Sequence, residues 1–340
     1  MAHTPERIRK NKKVALSSTQ KALLVLSLLA LLLLLTVAGL FAYIRLGILG
    51  QLETVDAFPT DDNRPAAQEP EQDSPAAVNF LILGSDSRIS GGNPQQWTAG
   101  AQRTDTIMLA QLSQKNNTVT VMSIPRDSWV PIEGYGHAKI NAAYSYGGPQ
   151  LAVQTVEQLT GVRIDHFAIV DFKTFATLTE ELGGVSIETS NGKRILNGAQ
   201  ALTFVRERTS LPGGDFDRVK RQQAWMRAIM AKVFSSGTLN SPSDTLSLVQ
   251  TASEYMAVDN ELGITDMVNL ARKGASIRPN NIQFITAPYS GTGTSEDGQS
   301  IVVLNEDKLG SLMEAWKKDD VDNYLADHGA DISKLSHIVN

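Results

Sequence analysis

Residues 79–88 read NFLILGSDSR, an apolar run that stops at a glycine and continues into polar residues. A short apolar run of this kind is typical of a strand that is buried on both faces of a sheet. Gly84 permits a tight turn, and Asp86 is a hard oxygen donor of the kind that Mg²⁺ accepts. Ligands of α/β proteins bind at the carboxyl ends of strands, so the stretch predicts a buried sheet and a site at its edge. An ordinary turn is the simpler interpretation of the polar residues alone.

Further strands and helices alternate along the chain. Strand patterns follow at residues 106–112, 119–124, 164–170 and 282–287. Helical patterns occupy residues 149–159, 172–182, 217–234, 244–257, 264–273 and 306–317. This order predicts an α/β fold with a central, mostly buried mixed β-sheet flanked by helices. Because no internal repeat or second linker interrupts residues 78–340, we expect them to form one domain.

Charged residues recur at the ends of the predicted strands. Arg103 and Asp105 stand at the start of the second strand, and Arg126 follows the proline that ends the third. Asp86 and Asp105 on neighbouring strand ends are predicted to share one divalent cation, Mg²⁺ or Mn²⁺, while Arg103 contacts phosphate oxygens. The simpler alternative is a surface Arg–Asp pair, which contributes little to stability.

An arginine-rich segment surrounds the start of the helix at residues 217–234. Its candidate phosphate-binding residues are Arg206, Arg208, Arg218, Arg221 and Gln222, with Asp215 at the helix start. The planar guanidinium matches phosphate bidentately, and the positive end of a helix dipole favours an anion. A solvated helix face is the alternative, but such faces usually carry more lysine and glutamate. Lys139 is a further candidate phosphate donor, whereas His137 and His166 are more often structural in such settings.

The N-terminal part of the chain predicts a membrane anchor. Residues 1–21 are basic and residues 22–45 are apolar up to Arg45, long enough at about 1.5 Å per residue to cross roughly 30 Å of hydrocarbon. The positive-inside bias places residues 1–21 in the cytoplasm, so the domain at 78–340 is expected outside the cell. Residues 46–77 are acidic and contain prolines, which indicates a flexible stalk. A cleaved signal peptide is the alternative to a retained anchor, but its apolar region is normally shorter.

Composition excludes several classes of function. The 340 residues carry a formal net charge of −5, so nucleic acid is disfavoured as a partner. The absence of cysteine removes thiol nucleophiles, disulfides and thiolate metal sites. What remains is a site made of arginines, carboxylates and hydroxyls.

Five blocks, taken together in order, resemble the LytR-CpsA-Psr family. They are NFLILGSDSR from Asn79, RTDTIML from Arg103, SIPRDSWV from Ser123, KINAAYSYGG from Lys139, and ALTFVRER with GGDFDRVKRQQ from Ala201. Phe204 departs from the pattern, in which we expect tyrosine. No additional domain of the kind that some members carry is evident before Asn340.

The resemblance implies a phosphotransferase that moves a glycopolymer, such as wall teichoic acid, from a polyprenyl-pyrophosphate carrier to a peptidoglycan hydroxyl. It implies Asp86 and Asp105 as metal ligands and Asp215 as an active-site carboxylate. The pyrophosphate clamp carried over from the family comprises Arg103, Arg126, Arg206, Arg208, Arg218 and Gln222. Three aspartates, Asp86, Asp105 and Asp215, stay open as the general base. Hydrolysis of the lipid pyrophosphate, and a non-catalytic lipid-binding envelope regulator or scaffold, are the alternative functions.

Overall fold

The strand predicted at residues 79–83 lies in the middle of a mixed sheet. The computed structural model describes residues 53–60, 64–70, 74–85, 104–207, 211, 215–235, 241, 246, 256–329, 332–336 and 338–339. Its strands are β1 (Glu53–Val55), β2 (Val78–Ser85), β3 (Thr104–Ser113), β4 (Thr118–Ile124), β5 (Trp129–Ile132), β6 (Gly136–Lys139), β7 (His166–Asp171), β8 (Val185–Thr189), β9 (Gly192–Leu196), β10 (Met256–Asp259), β11 (Ile282–Thr286), β12 (Tyr289–Thr294) and β13 (Ser300–Leu304). Its helices are α1 (Ala142–Thr160), α2 (Phe172–Glu181), α3 (Gly198–Arg206), α4 (Asp215–Ser235), α5 (Ile264–Lys273), α6 (Glu306–Lys317) and α7 (Val321–His328), with 3₁₀ turns at Gly274–Ser276 and Pro279–Asn281.

Seven of the described strands form one sheet in the order β1-β10-β7-β2-β3-β4-β11. The pairs β1–β10, β7–β2 and β4–β11 are parallel, and the other neighbours are antiparallel. Three separate hairpins, β5–β6, β8–β9 and β12–β13, accompany the sheet. The predicted mixed sheet with flanking helices is therefore confirmed.

Both faces of the central strands are covered. In β2, Leu81 and Leu83 belong to one core cluster, while Phe80 and Ile82 pack against another on the opposite face. The first cluster contains apolar residues of α1, α6 and α7, and the second contains Met226 of α4. Because successive strand residues point to opposite faces, an unbroken apolar run is what burial on both faces requires.

Helix α4 is packed on two sides. Met226 joins the cluster on the sheet, whereas Trp225 and Ile229 join a second cluster with β8, β9 and α3. The indole Nε1 of Trp225 also donates to Thr179 Oγ1 at 2.9 Å. These contacts fix the helix whose first turns carry the predicted phosphate-binding residues.

The segment predicted as a flexible stalk over 46–77 is part of the fold where the structure describes it. Strand β1 pairs with β10, and Ala57 is fully buried in the main core. Arg64 forms an ion pair with Glu157 of α1 at 2.8 Å, with its guanidinium 4.4 Å from the ring centroid of Phe58. The acidic, proline-containing composition suggested a linker because composition does not reveal a few deeply anchored residues. The predicted boundary at residue 78 is therefore wrong, and the folded unit includes residues from Glu53 onward.

Two further predictions meet the structure differently. The transmembrane helix over 22–45 and the basic segment over 1–21 lie outside the described residues; within those residues, no helix combines the length and apolarity needed to cross a bilayer. The helix predicted over 244–257 lies mostly outside them too. Its last two residues are wrong as helix, because Met256–Asp259 forms β10 and pairs with β7.

Candidate active site

Three strand ends meet at one edge of the sheet, as predicted. The end of β2 lies beside the start of β3, where Gly84 pairs with Thr106 and Ser85 pairs with Thr104. The end of β4 lies on the other side of β3, where Ile124 pairs with Ile107. The antiparallel order places the beginning of β3 between two carboxyl ends, so loops that are distant in sequence converge.

Asp105 occupies a β-bulge at this edge. The register between β2 and β3 shifts by one residue between Gly84 and Ser85, which leaves Asp105 as the extra residue of β3. A bulge redirects the side chain of the inserted residue and is common next to active sites. The bulge therefore accounts for the presence of a carboxylate within the ladder of a largely buried strand.

The carboxylate of Asp105 is paired with Arg126. Arg126 Nη1 donates to Asp105 Oδ1 at 2.6 Å, and the two side chains are only 22% and 15% exposed. The neighbouring Asp127 lies 3.7 Å from Arg126 Nε through its Oδ2 and 3.1 Å from Lys139 Nζ through its Oδ1. Asp105, Arg126, Asp127 and Lys139 therefore form one chain of alternating charges.

The loop that carries Arg126 is held by backbone hydrogen bonds. The amide of Ser128 donates to the carbonyl of Pro125 at 2.9 Å, and the amide of Asn141 donates to the carbonyl of Arg126 at 3.2 Å. The amide of Val302 donates to the carbonyl of Asp127 at 2.8 Å. Pro125 ends the strand because it has no N–H to continue the ladder. The guanidinium is thus presented from a fixed backbone, which favours preorganised anion binding.

Helix α4 contributes Arg218 and Gln222 from one of its faces. The Gln222 side chain is 7% exposed, and its Oε1 accepts from Thr106 Oγ1 at 2.9 Å. Arg218 precedes it by one helical turn and is 2% exposed. Residues four apart lie on the same helix face, so Arg218 is buried on the side of α4 that faces the sheet. The next residue, Gln223, donates to the carbonyl of Ile285 in β11.

Arg221 contacts helix α3. Its Nη1 donates to the carbonyl of Phe204 at 3.0 Å, and its guanidinium lies 4.3 Å from the centroid of the Phe204 ring. Burial lowers the pKa of Arg221 from its ordinary value, and nearby Glu207 acts in the opposite direction. Arg206 follows Phe204 at the end of α3 and is exposed. The described contacts of Arg221 therefore position the end of α3, where Arg206 stands.

Several predicted site residues lie outside what the structure describes. These are Asp86, Arg103 and Arg208; for Asp215, the backbone at the start of α4 is described but not the side chain. Among the described residues, no group of three or more acidic or histidine side chains is arranged to hold a metal ion. Asp105 is the described member of the predicted metal pair. A pair of carboxylates still suits Mg²⁺, which usually takes one or two from protein and completes its shell with water and phosphate oxygens.

The two histidines considered as possible bases, His166 and His137, lie in different parts of the fold. His166 begins β7 and pairs with Phe80, at the opposite end of β2 from Gly84, and its Nδ1 lies 3.4 Å from Asp259 Oδ2. His137 is exposed in the β5–β6 hairpin. The position of His166 does not suit a general base that acts at Asp105.

A cleft between the sheet and α4, the sheet–helix cleft, opens at Gln222. It is lined by Ile82, Gly84, Thr106, Met108, Val170, Gln222, Trp225 and Met226. The glycine is required here, because a Cβ at Gly84 would lie 2.9 Å from Thr106 Cβ. The lining is apolar except at the Thr106–Gln222 hydrogen bond, next to Asp105.

A second cleft, the hydroxyl cleft, opens on the other side of Arg126. It is lined by Pro125, Arg126, Asp127, Val219, Lys220, Thr286, Tyr289, Thr292, Ser300, Ile301, Val302 and Ser333. The sequence interpretation did not include the β12–β13 hairpin, Thr106 or a role for Asp127. Asp127 lies in the SIPRDSWV block, which was a detectable signal, but its partner Lys139 is adjacent only because β5 pairs with β6.

Comparisons with known proteins agree with this fold. The model of the LytR_cpsA_psr family matches residues 54–318. The cell wall biosynthesis protein LcpA of Corynebacterium glutamicum is 28% identical over 322 residues, covering 78% of this chain and 62% of LcpA. A protein of Bacillus mycoides named polyisoprenyl-teichoic acid–peptidoglycan teichoic acid transferase TagU is 36% identical over 185 residues, covering 51% of this chain and 58% of TagU. The chain thus spans less than two thirds of the length of both relatives.

Among solved structures, protein gbs0355 of Streptococcus agalactiae superposes with a TM-score of 0.62. The alignment covers 72% of this chain and 88% of that chain at 24% sequence identity. At this identity the likeness concerns the fold, which is an α/β arrangement of the same kind.

Proposed function

This chain belongs to the LytR_cpsA_psr family, and we propose that it transfers a glycopolymer from a polyprenyl-pyrophosphate carrier to a hydroxyl of peptidoglycan. The observation that carries the proposal is the Asp105–Arg126 pair next to Thr106, which lines the apolar sheet–helix cleft and donates a hydrogen bond to Gln222. A pyrophosphate-linked lipid needs these two environments side by side, one for charge and one for an apolar tail. The names of LcpA and TagU, which refer to cell wall biosynthesis and teichoic acid transfer, support the same reaction.

The sheet–helix cleft is proposed to take the part of the prenyl tail nearest the pyrophosphate. Its apolar walls come from β2, β3 and α4, and burial of a hydrocarbon chain there is favoured by about 0.8 kcal/mol per CH₂ group. The Thr106–Gln222 hydrogen bond marks the transition to the polar region. At that end Arg126 and Arg218, with Arg103, Arg206, Arg208 and Lys139 as further proposed donors, would bind the phosphates.

In the proposed reaction, an acceptor hydroxyl attacks the phosphorus that carries the glycan. The bond between this phosphorus and the oxygen of the polyprenyl phosphate breaks, polyprenyl phosphate leaves, and the glycan is joined to the acceptor by a phosphodiester. The hydroxyl proton passes to a carboxylate, with Asp86, Asp105 and Asp215 as the candidates. Negative charge on the phosphoryl oxygens is stabilised by the fixed guanidiniums, of which Arg126 and Arg218 are described.

A divalent metal, Mg²⁺ or Mn²⁺, is proposed at Asp105 and Asp86. Asp105 has two carboxylate oxygens, and Arg126 bonds Oδ1, so a metal and the guanidinium can be accommodated by one carboxylate. The bound metal would supply neutralisation of phosphate charge. Replacement of Asp86 or Asp105 by asparagine should weaken Mn²⁺ binding, measured directly by electron paramagnetic resonance, whereas replacement of Asp215, which is not a proposed ligand, should leave metal binding intact.

We place the site outside the cell membrane, with the apolar segment 22–45 as the anchor. The pyrophosphate carrier lies in the membrane and the acceptor lies in the wall, so a membrane-tethered domain can reach both. Protease accessibility of the domain in intact cells, compared with that of an epitope fused to residue 1, tests this orientation. Cleavage of the epitope, with protection of the domain, would reverse it.

The deciding experiment is transfer by the purified full chain, given a lipid-pyrophosphate glycan, peptidoglycan and Mg²⁺. Arg126→Ala and Asp105→Asn should each lower the rate about 10²–10³-fold, as expected when one electrostatic partner of a transition state is removed. Arg278→Ala is the matched control, because Arg278 is exposed and does not line either cleft. If both site variants match the parent, the proposed site is wrong. Release of free glycan phosphate without a wall-linked product would instead show a hydrolase.

A further inference from the structure

We propose that the hydroxyl cleft is the binding site of the acceptor carbohydrate, the cell-wall sugar whose hydroxyl attacks the phosphorus. This inference rests on the proposed transfer reaction, since it assigns the second substrate of that reaction. It identifies Tyr289 and Thr292 of β12 as residues that recognise the acceptor. Four observations support it: position, charge, the chemistry of the lining and the form of β12.

The hydroxyl cleft and the sheet–helix cleft lie on either side of the Asp105–Arg126 pair in terms of their lining residues. Arg126 lines the hydroxyl cleft, while Thr106, the residue after Asp105, lines the sheet–helix cleft. Helix α4 borders both, with Val219 on one and Gln222 on the other. Displacement at phosphorus requires the attacking oxygen and the leaving oxygen to lie on opposite sides of the phosphorus. If the lipid leaving group occupies the sheet–helix cleft, an acceptor in the hydroxyl cleft would approach the same phosphorus from the other side.

The charges around the hydroxyl cleft are balanced in pairs. Arg126 is paired with Asp105, Asp127 with Lys139, and Lys220 with Asp217 at 3.0 Å. A site for a polyanion would present an excess of cations. A site with balanced charges suits a ligand that is neutral and polar.

The lining has the chemistry that sugars require. Side-chain hydroxyls come from β11 through Thr286, from the β12–β13 hairpin through Thr292 and Ser300, and from Ser333. A hydroxyl both donates and accepts hydrogen bonds, so it can serve as donor or as acceptor to the hydroxyls of a sugar. Tyr289 adds an aromatic ring that is 39% exposed in a cleft. An aromatic ring offers a flat apolar face to the C–H side of a pyranose, and its phenol oxygen can also hydrogen-bond.

Strand β12 is suited to contact with an extended polymer. Its sequence YSGTGT alternates hydroxyl residues with glycines, and its burial is low along the whole strand. Around Gly291, the position where a Cβ would stand has no neighbour within 4 Å. A strand on the surface that carries hydroxyls and almost no apolar side chains contributes little to a core, and its composition instead fits the binding of a polar chain.

The test measures acceptor and donor use separately with the full chain. Tyr289→Ala and Thr292→Val should each raise the KM for peptidoglycan about tenfold, the size expected for loss of one stacked ring or one well-made hydrogen bond, with the KM for the lipid donor unchanged. Tyr289→Phe should retain most of the acceptor affinity. Tyr135→Ala is the matched control, because Tyr135 is 54% exposed on the β5–β6 turn and does not line the hydroxyl cleft.

A second readout does not depend on catalysis: co-sedimentation of each variant with insoluble peptidoglycan. Reduced sedimentation of Tyr289→Ala and Thr292→Val, with normal sedimentation of Tyr135→Ala, supports the acceptor site even if the parent transfers no glycan, an outcome that would overturn only the proposed reaction. Unchanged acceptor KM and unchanged sedimentation overturn the acceptor site and leave the proposed reaction standing. Thr292 is exposed, so Thr292→Val decides the matter should Tyr289→Ala lower the melting temperature.

Discussion

Replacement of Arg64 by alanine should destabilise the domain strongly. Arg64 Nη2 and Nε donate to Glu157 Oε1 at 2.8 and 3.1 Å, and the side chains are only 6% and 2% exposed. Without Arg64, a buried carboxylate loses its partner, and removal of one member of a buried pair costs about 3–5 kcal/mol. At about 2–4 °C per kcal/mol for a domain of this size, the melting temperature should fall by roughly 6–20 °C.

Urea unfolding and calorimetry of the full chain would measure this loss. The double variant Arg64→Ala/Glu157→Gln should recover at least half of it, because glutamine removes the buried charge and keeps an oxygen for the amide of Ile164, which donates to Glu157 Oε1 at 2.9 Å. Lys317→Ala is the control, since its ion pair with Glu314 is exposed and should contribute less than about 1 kcal/mol. A loss below about 1 kcal/mol for Arg64→Ala would contradict a stabilising buried ion pair and would mean that residues 64–70 act as a linker.

Three further predictions concern the cleft, the guanidinium and pH. Met226→Trp should fill the sheet–helix cleft and weaken binding of the lipid donor about tenfold or more, measured by fluorescence with a labelled prenyl pyrophosphate, whereas Met226→Leu of similar volume should bind normally. Arg126→Lys should keep the positive charge but lose the planar fork, so the transfer rate should fall at least about tenfold; a rate equal to that of the parent would show that a point charge suffices. Burial raises the pKa of the Asp165 carboxyl in the folded protein, so this carboxyl loses its proton at lower pH in the unfolded chain than in the folded one. The free energy of unfolding is therefore highest below the unfolded pKa and decreases as pH rises through the folded pKa. Asp165→Asn, which keeps an acceptor for the Asn79 amide, should therefore be more stable than the parent at about pH 7 and lose this advantage in acid, as urea midpoints across pH would show.

The fold was largely predictable because its central strands are buried on both faces. Runs such as 79–83 and 119–124 are recognisable from the sequence, since residues on both sides of such a strand are mostly apolar when both faces of the sheet are covered. The helices at Ile264–Lys273 and Glu306–Lys317 match their predicted bounds. Strand β1 was missed because three residues at a sheet edge produce no periodic pattern, and its position depends on pairing with β10, about 200 residues later.

The candidate site was predictable in part for a similar reason. Asp105 and Arg126 stand at ends of strong apolar strands, so their sequence positions imply a common sheet edge, and the structure joins them by a 2.6 Å contact. The ion pair between Asp127 and Lys139 could not be predicted without the β5–β6 hairpin pairing. The hydrogen bond from Arg221 to Phe204 could not be predicted without the packing of two helices. The roles of Asp86, Arg103 and Arg208 stay predictions, because these residues lie outside the described part of the chain.

The α/β class, the family resemblance and the charged residues at the strand ends can all be read from the amino-acid sequence alone. These properties depend on local composition, apolar period and the order of blocks along the chain. Three features required the three-dimensional structure: Arg64 belongs to the folded unit, a bulge presents Asp105, and two clefts of different chemistry lie near the Asp105–Arg126 pair. Each of these features depends on contacts between residues that are far apart in the chain. Strand register and side-chain packing determine such contacts, and the local sequence pattern does not.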